Sequence, residues 1–270
     1  MLFKTIANAF YKLATETSDV FRARAFRDSA NLLNASPNTI ATVKSLSAIL
    51  SKRMIVHALN VKPVSISYYD LMSVPGIGMA KAKQLITAGV KKLSDLKLKK
   101  YNDMLVAQSK LFIKLNPIVK IERKYVSMIE RLLTNAIFTG SYRRNKQIVG
   151  DIDIVTSDLP LVVDMLKSLG KCYIYSSGDS KVSMYFDASN IVKKHAVYII
   201  DIFASSDIVP MILYTTGSAN NNTLMRHKAK LLGYKLNQYG LFQGKKQIML
   251  KTEANYYEIL GLPYKQPAER

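Results

Sequence analysis

Residues 137–154 read Ile137-Phe138-Thr139-Gly140-Ser141-Tyr142-Arg143-Arg144-Asn145-Lys146-Gln147-Ile148-Val149-Gly150-Asp151-Ile152-Asp153-Ile154. The alternation of acid and isoleucine over the last four residues is the pattern of a β-strand, whose side chains point to opposite faces in turn. Asp151 and Asp153 are therefore expected on one face, about 7 Å apart at the rise of a strand, with Ile152 and Ile154 turned into a core. Two carboxylates on one rigid strand are hard oxygen donors suited to magnesium, which takes few protein ligands and leaves room for phosphate oxygens. Upstream, Gly140-Ser141 supplies a turn whose backbone amides can approach a phosphate closely. Arg143 and Arg144 are expected to add positive charge for the same anion.

A bare Asp-x-Asp is common at turns and solvated strand edges. Joined to Gly140-Ser141 at a nine-residue spacing, it resembles the signature of the nucleotidyltransferase superfamily, whose members join a nucleotide to a hydroxyl using two metal ions.

Charge is unevenly distributed along the chain. Its 270 residues carry a formal net charge of +20. Residues 51–150 hold 19 Lys and Arg against 5 Asp and Glu, whereas residues 151–200 hold 5 against 6. A basic stretch followed by a locally acidic one suits a polyanion grip leading to a metal site. The length allows two or three domains, and a 49% hydrophobic content argues for a folded chain. Cys172 is the single cysteine, which excludes an internal disulfide and any cysteine-built zinc site. With no secretory signal and no run of 18 apolar residues, the expected setting is intracellular, with no membrane partner. His57, His195 and His227 are too scattered to suggest a ligand cluster.

From the N-terminus to about residue 62 the pattern is helical. Ile6, Phe10, Leu13 and Ala14 share a face, as do Phe21, Ala25, Phe26, Ala30 and Leu33, and Ser36-Pro37-Asn38 breaks the run before a further helix at 40–59. Arg22, Arg24 and Arg27 line one helix face. Residues 71–86 follow as helix, Gly76-Ile77-Gly78 hairpin and helix, with small Ala82 where the helices would cross. This matches the helix-hairpin-helix DNA-binding motif. Its glycines expose backbone amides at a helix start, where unpaired donors and the helix dipole attract phosphate, and Lys81 and Lys83 add charge. Such a contact reads the backbone and not the bases. Residues 89–136 continue helical and basic, and then strands are expected at 136–138, 147–156, 172–176, 182–186 and 196–204, with a helix at 160–169. Asp201 stands alone in the apolar run Tyr198-Ile199-Ile200-Asp201-Ile202-Phe203, where an unpaired carboxylate would be costly. It is the natural third carboxylate. The Thr/Gly/Ser/Asn cluster at 215–222 reads as a turn and helix N-cap leading into a helix at 224–232.

Taken together, the chain resembles a compact family X DNA polymerase of the polymerase beta type over nearly its whole length; the run Phe21-Arg22-Ala23-Arg24-Ala25-Phe26-Arg27 is similar to that family's N-terminal domain. The expected fold is α+β: a helical N-terminal domain at 1–62, a helix-hairpin-helix subdomain at 63–135, a mixed-sheet palm at 136–204 and a small nucleotide-selecting α/β subdomain at 205–270. The resemblance implies that Asp151, Asp153 and Asp201 bind two Mg2+ ions, with Mn2+ as a substitute. It places Ser141, Arg144 and the Gly150 amide on the triphosphate, Tyr214 and Gly217 against the sugar, Asn222 on the base and Arg226 on the template strand. In the hairpin, the carbonyls of Met72, Val74 and Ile77 match a site for Na+ or K+, with Gly76, Gly78, Ala80 and Lys81 beside the DNA phosphate.

The implied activity is template-directed filling of short gaps in DNA repair. The implied partners are gapped or nicked duplex DNA, dNTPs and a DNA ligase, and the implied state is a monomer working at DNA, in the nucleus or in the cytoplasm of a cell infected by a cytoplasmic DNA virus. The chain departs from the family pattern at Thr215 and Ile199, where an aromatic residue and an arginine are common, and at Ser45 and Ser47, which replace hairpin glycines. The Schiff-base lysine of the family's lyase falls on Arg53, which stays protonated, so Lys52 is the nearest candidate amine. Two other readings fit parts of the pattern: a nucleotidyltransferase acting on RNA ends, and a non-catalytic DNA-end-binding protein.

Overall fold

Ile152, Ile154, Ile200 and Ile202 are each fully buried, and the residues between them are not. That alternation builds the centre of the main sheet as two neighbouring strands with one apolar face. The computed structural model describes residues 2–17, 20–35, 66 and 68–270. The expected helix at 40–59, with Ser45, Ser47, Lys52, Arg53 and His57, lies outside them. Packing divides the chain into two units, Met1–Lys114 and Leu115–Arg270.

In the first unit, α1 (Leu2–Glu16), α2 (Val20–Ala35), α3 (Tyr68–Met72), α4 (Met79–Thr87), α5 (Lys99–Asn102) and α6 (Ala107–Leu115) surround one core, with a 3-10 turn at Leu93–Lys97. Ile6, Phe10, Leu33, Leu71, Ala82, Leu85 and Leu96 meet in it with essentially no exposed surface. Ile6, Phe10 and Leu13 of the expected α1 face and Phe26, Ala30 and Leu33 of the expected α2 face thus pack with the helices of the hairpin in a single cluster, whereas Ala25 is exposed. Lys83 is used locally, since its Nζ donates to the Thr15 carbonyl at 3.1 Å in the last turn of α1, where a cation offsets the helix dipole.

The second unit contains β1 (Ile121–Glu122), α7 (Arg123–Glu130), β2 (Ile137–Phe138), α8 (Gly140–Arg143), β3 (Ile148–Val149), β4 (Ile152–Thr156), α9 (Leu159–Leu169), β5 (Lys171–Ser177), β6 (Lys181–Asp187), α10 (Ser189–Val192) and β7 (Val197–Ala204). Its main sheet has the order β2-β4-β7-β6-β5, with β4 and β7 parallel and the other pairs antiparallel. One face packs Ile152, Ile154, Met184, Phe186, Tyr198 and Ile200 against Val126 and Ile129 of α7 and Val162 and Leu166 of α9. Asp158 caps α9 by accepting from the Leu161 amide at 3.0 Å. The strand expected at 147–156 is two pieces: β3 pairs with β1, and the chain bends at Gly150-Asp151 before β4 joins the main sheet.

Beyond β7 lie α11 (Ile208–Thr216), α12 (Ala219–Leu231), a three-stranded meander of β8 (Lys235–Asn237), β9 (Gly240–Gln243) and β10 (Lys246–Ile248), and α13 (Glu253–Ile259). The helix expected at 224–232 starts five residues earlier, because Ser218 is the N-cap and accepts from the Asn221 amide at 3.4 Å. The meander was not expected from sequence. Its three strands have only 3, 4 and 3 residues, too few for an alternation to stand out.

An ion cluster ties this C-terminal part to α8. Arg143 donates to both Glu253 oxygens, at 3.0 and 2.6 Å, and to Thr216 Oγ1 at 2.8 Å. Arg270, its side chain fully buried, donates to Glu253 Oε1 at 2.7 Å. Burial pushes the Glu253 carboxyl upward, but the hydrogen bonds from Arg143 and Arg270 outweigh it and leave the group below its ordinary value. The stabilisation is therefore complete above the unfolded carboxyl pKa and is lost only as pH falls through the lowered one. Glu253→Ala should lower the unfolding free energy of this unit by about 2–4 kcal/mol at neutral pH, because two guanidiniums lose their counter-ion. Urea unfolding at pH 7 checks this, and a loss below about 1 kcal/mol would mean that the cluster contributes little.

Candidate active site

Parallel pairing of β4 with β7 sets Asp153 directly beside Asp201. Both project from the sheet face opposite the isoleucines. Asp151 stands in the bend just before β4 and not within the strand, so its carboxylate reaches the same cleft from the rim. Burial, then Asp151, then Asp201 push the Asp153 carboxyl up to about 7. Partial burial and the Asp201 charge push Asp151 upward as well. This is the response of carboxylates withdrawn from water and then set beside like charges.

The turn upstream is shaped around these acids. Gly140 has φ +57°, and a Cβ there would stand 2.1 Å from Asp153 Oδ2. Glycine is thus required by the carboxylate as well as by the backbone. Thr139 closes the same corner, its amide donating to the Asp153 carbonyl at 2.8 Å. From Gly140 the chain enters one turn of helix, α8, in place of a bare loop. Arg144 donates through Nη1 to the Thr216 carbonyl. Arg143 does not serve the anion as its sequence position suggested, because Glu253 and Thr216 hold it.

One open cleft gathers Gly140, Ser141, Arg144, Asp151 and Asp153 with Phe203, Tyr214, Thr215, Gly217, Ala219, Asn222 and Arg226. Eight of the expected residues outside the hairpin, Ser141, Arg144, Asp151, Asp153, Tyr214, Gly217, Asn222 and Arg226, therefore line one cleft, and Asp201 adjoins it through its pairing with Asp153. Asn222 Nδ2 donates to the Tyr214 carbonyl at 2.8 Å, and Arg226 Nε to the Asn222 carbonyl at 3.2 Å, which arranges the α11–α12 side of the cleft. Thr215 turns its hydroxyl back on the Met211 carbonyl at 2.7 Å. Gly150 is exposed at the bend.

Among the described residues, no three Asp, Glu, His or Cys side chains converge tightly enough to form a ready-made metal cage. Asp201 is already paired within the chain. Lys181 Nζ, at the start of β6, sits 2.8 Å from its Oδ2, a contact that sequence reading missed. The donor set nevertheless suits divalent cations. Asp201 Oδ1, Ser141 Oγ and Arg144 Nε are buried with no hydrogen-bond partner among the described residues. Buried polar atoms are normally satisfied, so these three leave unused hydrogen-bonding capacity at the cleft. Hard carboxylate oxygens suit Mg2+ or Mn2+, and the remaining donors suit phosphate oxygens.

In the first unit the hairpin has an exposed tip at Gly76, Gly78 and Ala80, with Lys81 half-buried. Gly76 has φ +84°, and a Cβ there would press on Ser109 Oγ and Val106 Cγ2 at 2.8 Å. Gly78 is the N-cap of α4 at φ −87°, with no side-chain cap and open space around it. Of the carbonyls expected to bind a monovalent cation, that of Val74 accepts from the Ile77 amide at 3.1 Å. Met72 is half-buried, and Val74 and Ile77 are buried.

Residues 211–270 match the family model described as DNA polymerase beta thumb. Over 242 residues the chain is 28% identical to DNA polymerase lambda of Arabidopsis thaliana, covering 72% of this chain and 44% of that protein. Over 153 residues it is 30% identical to the repair DNA polymerase X of African swine fever virus (isolate Tick/South Africa/Pretoriuskop Pr4/1996), covering 53% of this chain and 85% of the viral protein. Rat DNA polymerase lambda is 28% identical over 158 residues, 48% of this chain and 28% of the relative. The match thus spans less than half of either lambda polymerase.

The raised pKa values of Asp151 and Asp153 have a measurable consequence. An acid whose folded pKa lies above its unfolded value of about 3.9 favours the folded state while protonated, so its contribution falls as pH rises between the two values. In chelator, the stability of this unit should therefore decline as pH rises toward 7, the value to which Asp153 is pushed. Asp153→Asn should flatten that slope in urea titrations across the window. A slope that survives the substitution would place the titrating group elsewhere.

Proposed function

The chain belongs to family X of the DNA polymerases, and from that premise we propose that it fills short gaps in duplex DNA by transferring nucleotides from dNTPs to a primer 3′-hydroxyl. The observation that carries the reading is the alignment of Asp153 with Asp201, with Asp151 at the rim, in the same cleft as Gly140-Ser141 and Arg144. Asp151 and Asp153 would hold both of two Mg2+ ions, and Asp201 one of them. The ions would supply acidification of the primer hydroxyl and neutralisation of charge on the phosphates.

The protein's own residues do the rest. Ser141 Oγ and Arg144, each with a buried atom lacking a partner, bind and orient the triphosphate together with the Gly150 amide. Tyr214 and Gly217 border the sugar, Asn222 the base edge, and Arg226 the template strand. Their positions depend on the α11–α12 turn, which Arg144 fixes through the Thr216 carbonyl. Away from this unit, the hairpin amides around Gly78, Ala80 and Lys81 grip a DNA phosphate at the start of α4. The carbonyls of Met72, Val74 and Ile77 bind Na+ or K+ beside it. A DNA ligase would seal the product, and the protein would act as a monomer on intracellular DNA. Among the described residues, no helix is long and apolar enough to cross a membrane.

Extension of a gapped duplex with four dNTPs and Mg2+ tests the reading, with single-stranded RNA as the competing substrate. Asp201→Ala should reduce extension by about four orders of magnitude, several kcal/mol of barrier, while gapped-DNA affinity stays within about three-fold. Near-normal turnover at saturating metal would remove Asp201 from the chemistry, and preferential extension of RNA would overturn the substrate class.

The two hairpin glycines should separate folding from binding. Gly78→Val meets no atom and needs no unusual φ, so it should leave the melting temperature nearly unchanged and weaken binding to every DNA sequence by about ten-fold. Gly76→Val should instead destabilise the first unit, since both its φ and its neighbours exclude a side chain. Loss of affinity for one sequence only would argue against a phosphate contact.

A further inference from the structure

Lys181 and Asp201 belong to different strands, and neither is the other's direct partner in register. Lys181 pairs with Phe203 and Ser183 with Asp201, so the lysine reaches the acid along the diagonal. Its Nζ stands 2.8 Å from Oδ2 and 4.7 Å from the centre of the Phe203 ring, which leaves the ammonium two attractive partners in one position. Lys181 retains 42% of its side-chain exposure and Asp201 only 21%. The other carboxylate oxygen, Oδ1, is buried and has no partner among the described residues. The two oxygens of one acid are thus treated oppositely: one clamped by a cation of this chain, the other left open.

We infer that Lys181 is the positioning residue of the reaction centre, holding Oδ2 so that Asp201 offers a divalent cation a single oxygen, Oδ1. The inference rests on the proposed metal-binding role of the three carboxylates and adds to it a resident counter-ion on β6. With no ion bound, the lysine also balances part of the negative charge gathered by Asp151, Asp153 and Asp201. It lies on the same sheet face as the acids, and Arg144 on the α8 side and Arg226 on α12 are further cations lining the cleft. This arrangement makes two opposing contributions. The positive charge weakens cation uptake, while the clamp removes the freedom of Asp201 to chelate with both oxygens or to turn away. A residue that served only to hold the fold would not separate those quantities.

The test is calorimetric titration of Mn2+ into the wild-type chain, Lys181→Met and Lys181→Arg, combined with single-nucleotide gap filling. Lys181→Met should bind Mn2+ about three- to ten-fold more tightly, because a nearby positive charge is gone in a half-exposed site. Its kcat should nevertheless fall about ten-fold with little change in the dNTP KM, as the ligand loses its fixed orientation. In EDTA its melting temperature should drop, and saturating Mn2+ should restore it by a larger shift than in wild type. Lys181→Arg should keep both affinity and kcat near the wild-type values. If Lys181→Met fails to fold, Lys181→Gln, which keeps a donor without the charge, should show the same tightening. Wild-type uptake of Mn2+ with unchanged or weaker affinity in the neutral variants would overturn the role of Lys181 alone. A wild-type chain that takes up no Mn2+ would remove the carboxylate site itself, and this inference with it.

Discussion

Side chains at matched positions of neighbouring strands are separated by little more than the strand spacing, about 4.8 Å. Register Asp153 to Asp201 therefore holds two carboxylates in near contact for as long as β4 and β7 remain paired. The pairing is not free to slip. A one-residue slip of β4 would bring Ile152 and Ile154 out of the core and send Asp153 into it, and a slip of β7 would do the same to Ile200, Ile202 and Asp201. Hydrophobic burial on one face of the sheet thus enforces an electrostatic strain on the other. Burial first, and the neighbouring carboxylates second, raise the pKa values of Asp153 and Asp151.

Three features around the pair limit what the strain can do. Gly140 lets the chain pass so close to the Asp153 carboxylate that no other residue fits. Lys181 covers one oxygen of Asp201. Arg144 is pinned to the Thr216 carbonyl, which keeps its guanidinium at the cleft without letting it collapse onto the acids. The neighbouring Arg143 has a different task. With Glu253 and Arg270 it joins α8 to the start of α13, so the turn that faces the acids is anchored from behind. Two adjacent arginines with the same sequence appearance therefore divide into one that serves the cleft and one that supports the fold.

Much of this was legible in the sequence because it is local or periodic. Strand alternation at 151–154 and 198–203, the Gly140-Ser141 spacing, the glycines of the hairpin and the N-cap cluster near Ser218 all lie within a few residues of the feature they specify. What escaped has a common physical character. Lys181 meets Asp201 diagonally across two strands, and Glu253 meets Arg143 across 110 positions, so each contact exists only once the topology is formed. No periodicity carries such information. The break at Gly150-Asp151 was hidden for another reason: both halves alternate like strand, and only the choice of partner, β1 for one and β7 for the other, separates them. The meander of β8 to β10 was too short to register above the turns between its strands.

The hairpin shows the same division at the scale of two residues. Gly76 and Gly78 look equivalent in sequence, yet the first is confined by φ +84° and by the side chains of Val106 and Ser109, while the second has an ordinary φ and empty space beside it. Folding explains the first glycine completely. It does not explain the second, since most residues would cost little there and Ser, Asn or Asp would cap α4 better. Under the proposed phosphate contact, a glycine left unconstrained at an exposed helix start would let an anion approach the backbone closely. The orphaned oxygens of Ser141 and Asp201 follow the same logic in the second unit: at the cleft, packing within the chain leaves a buried polar atom unanswered.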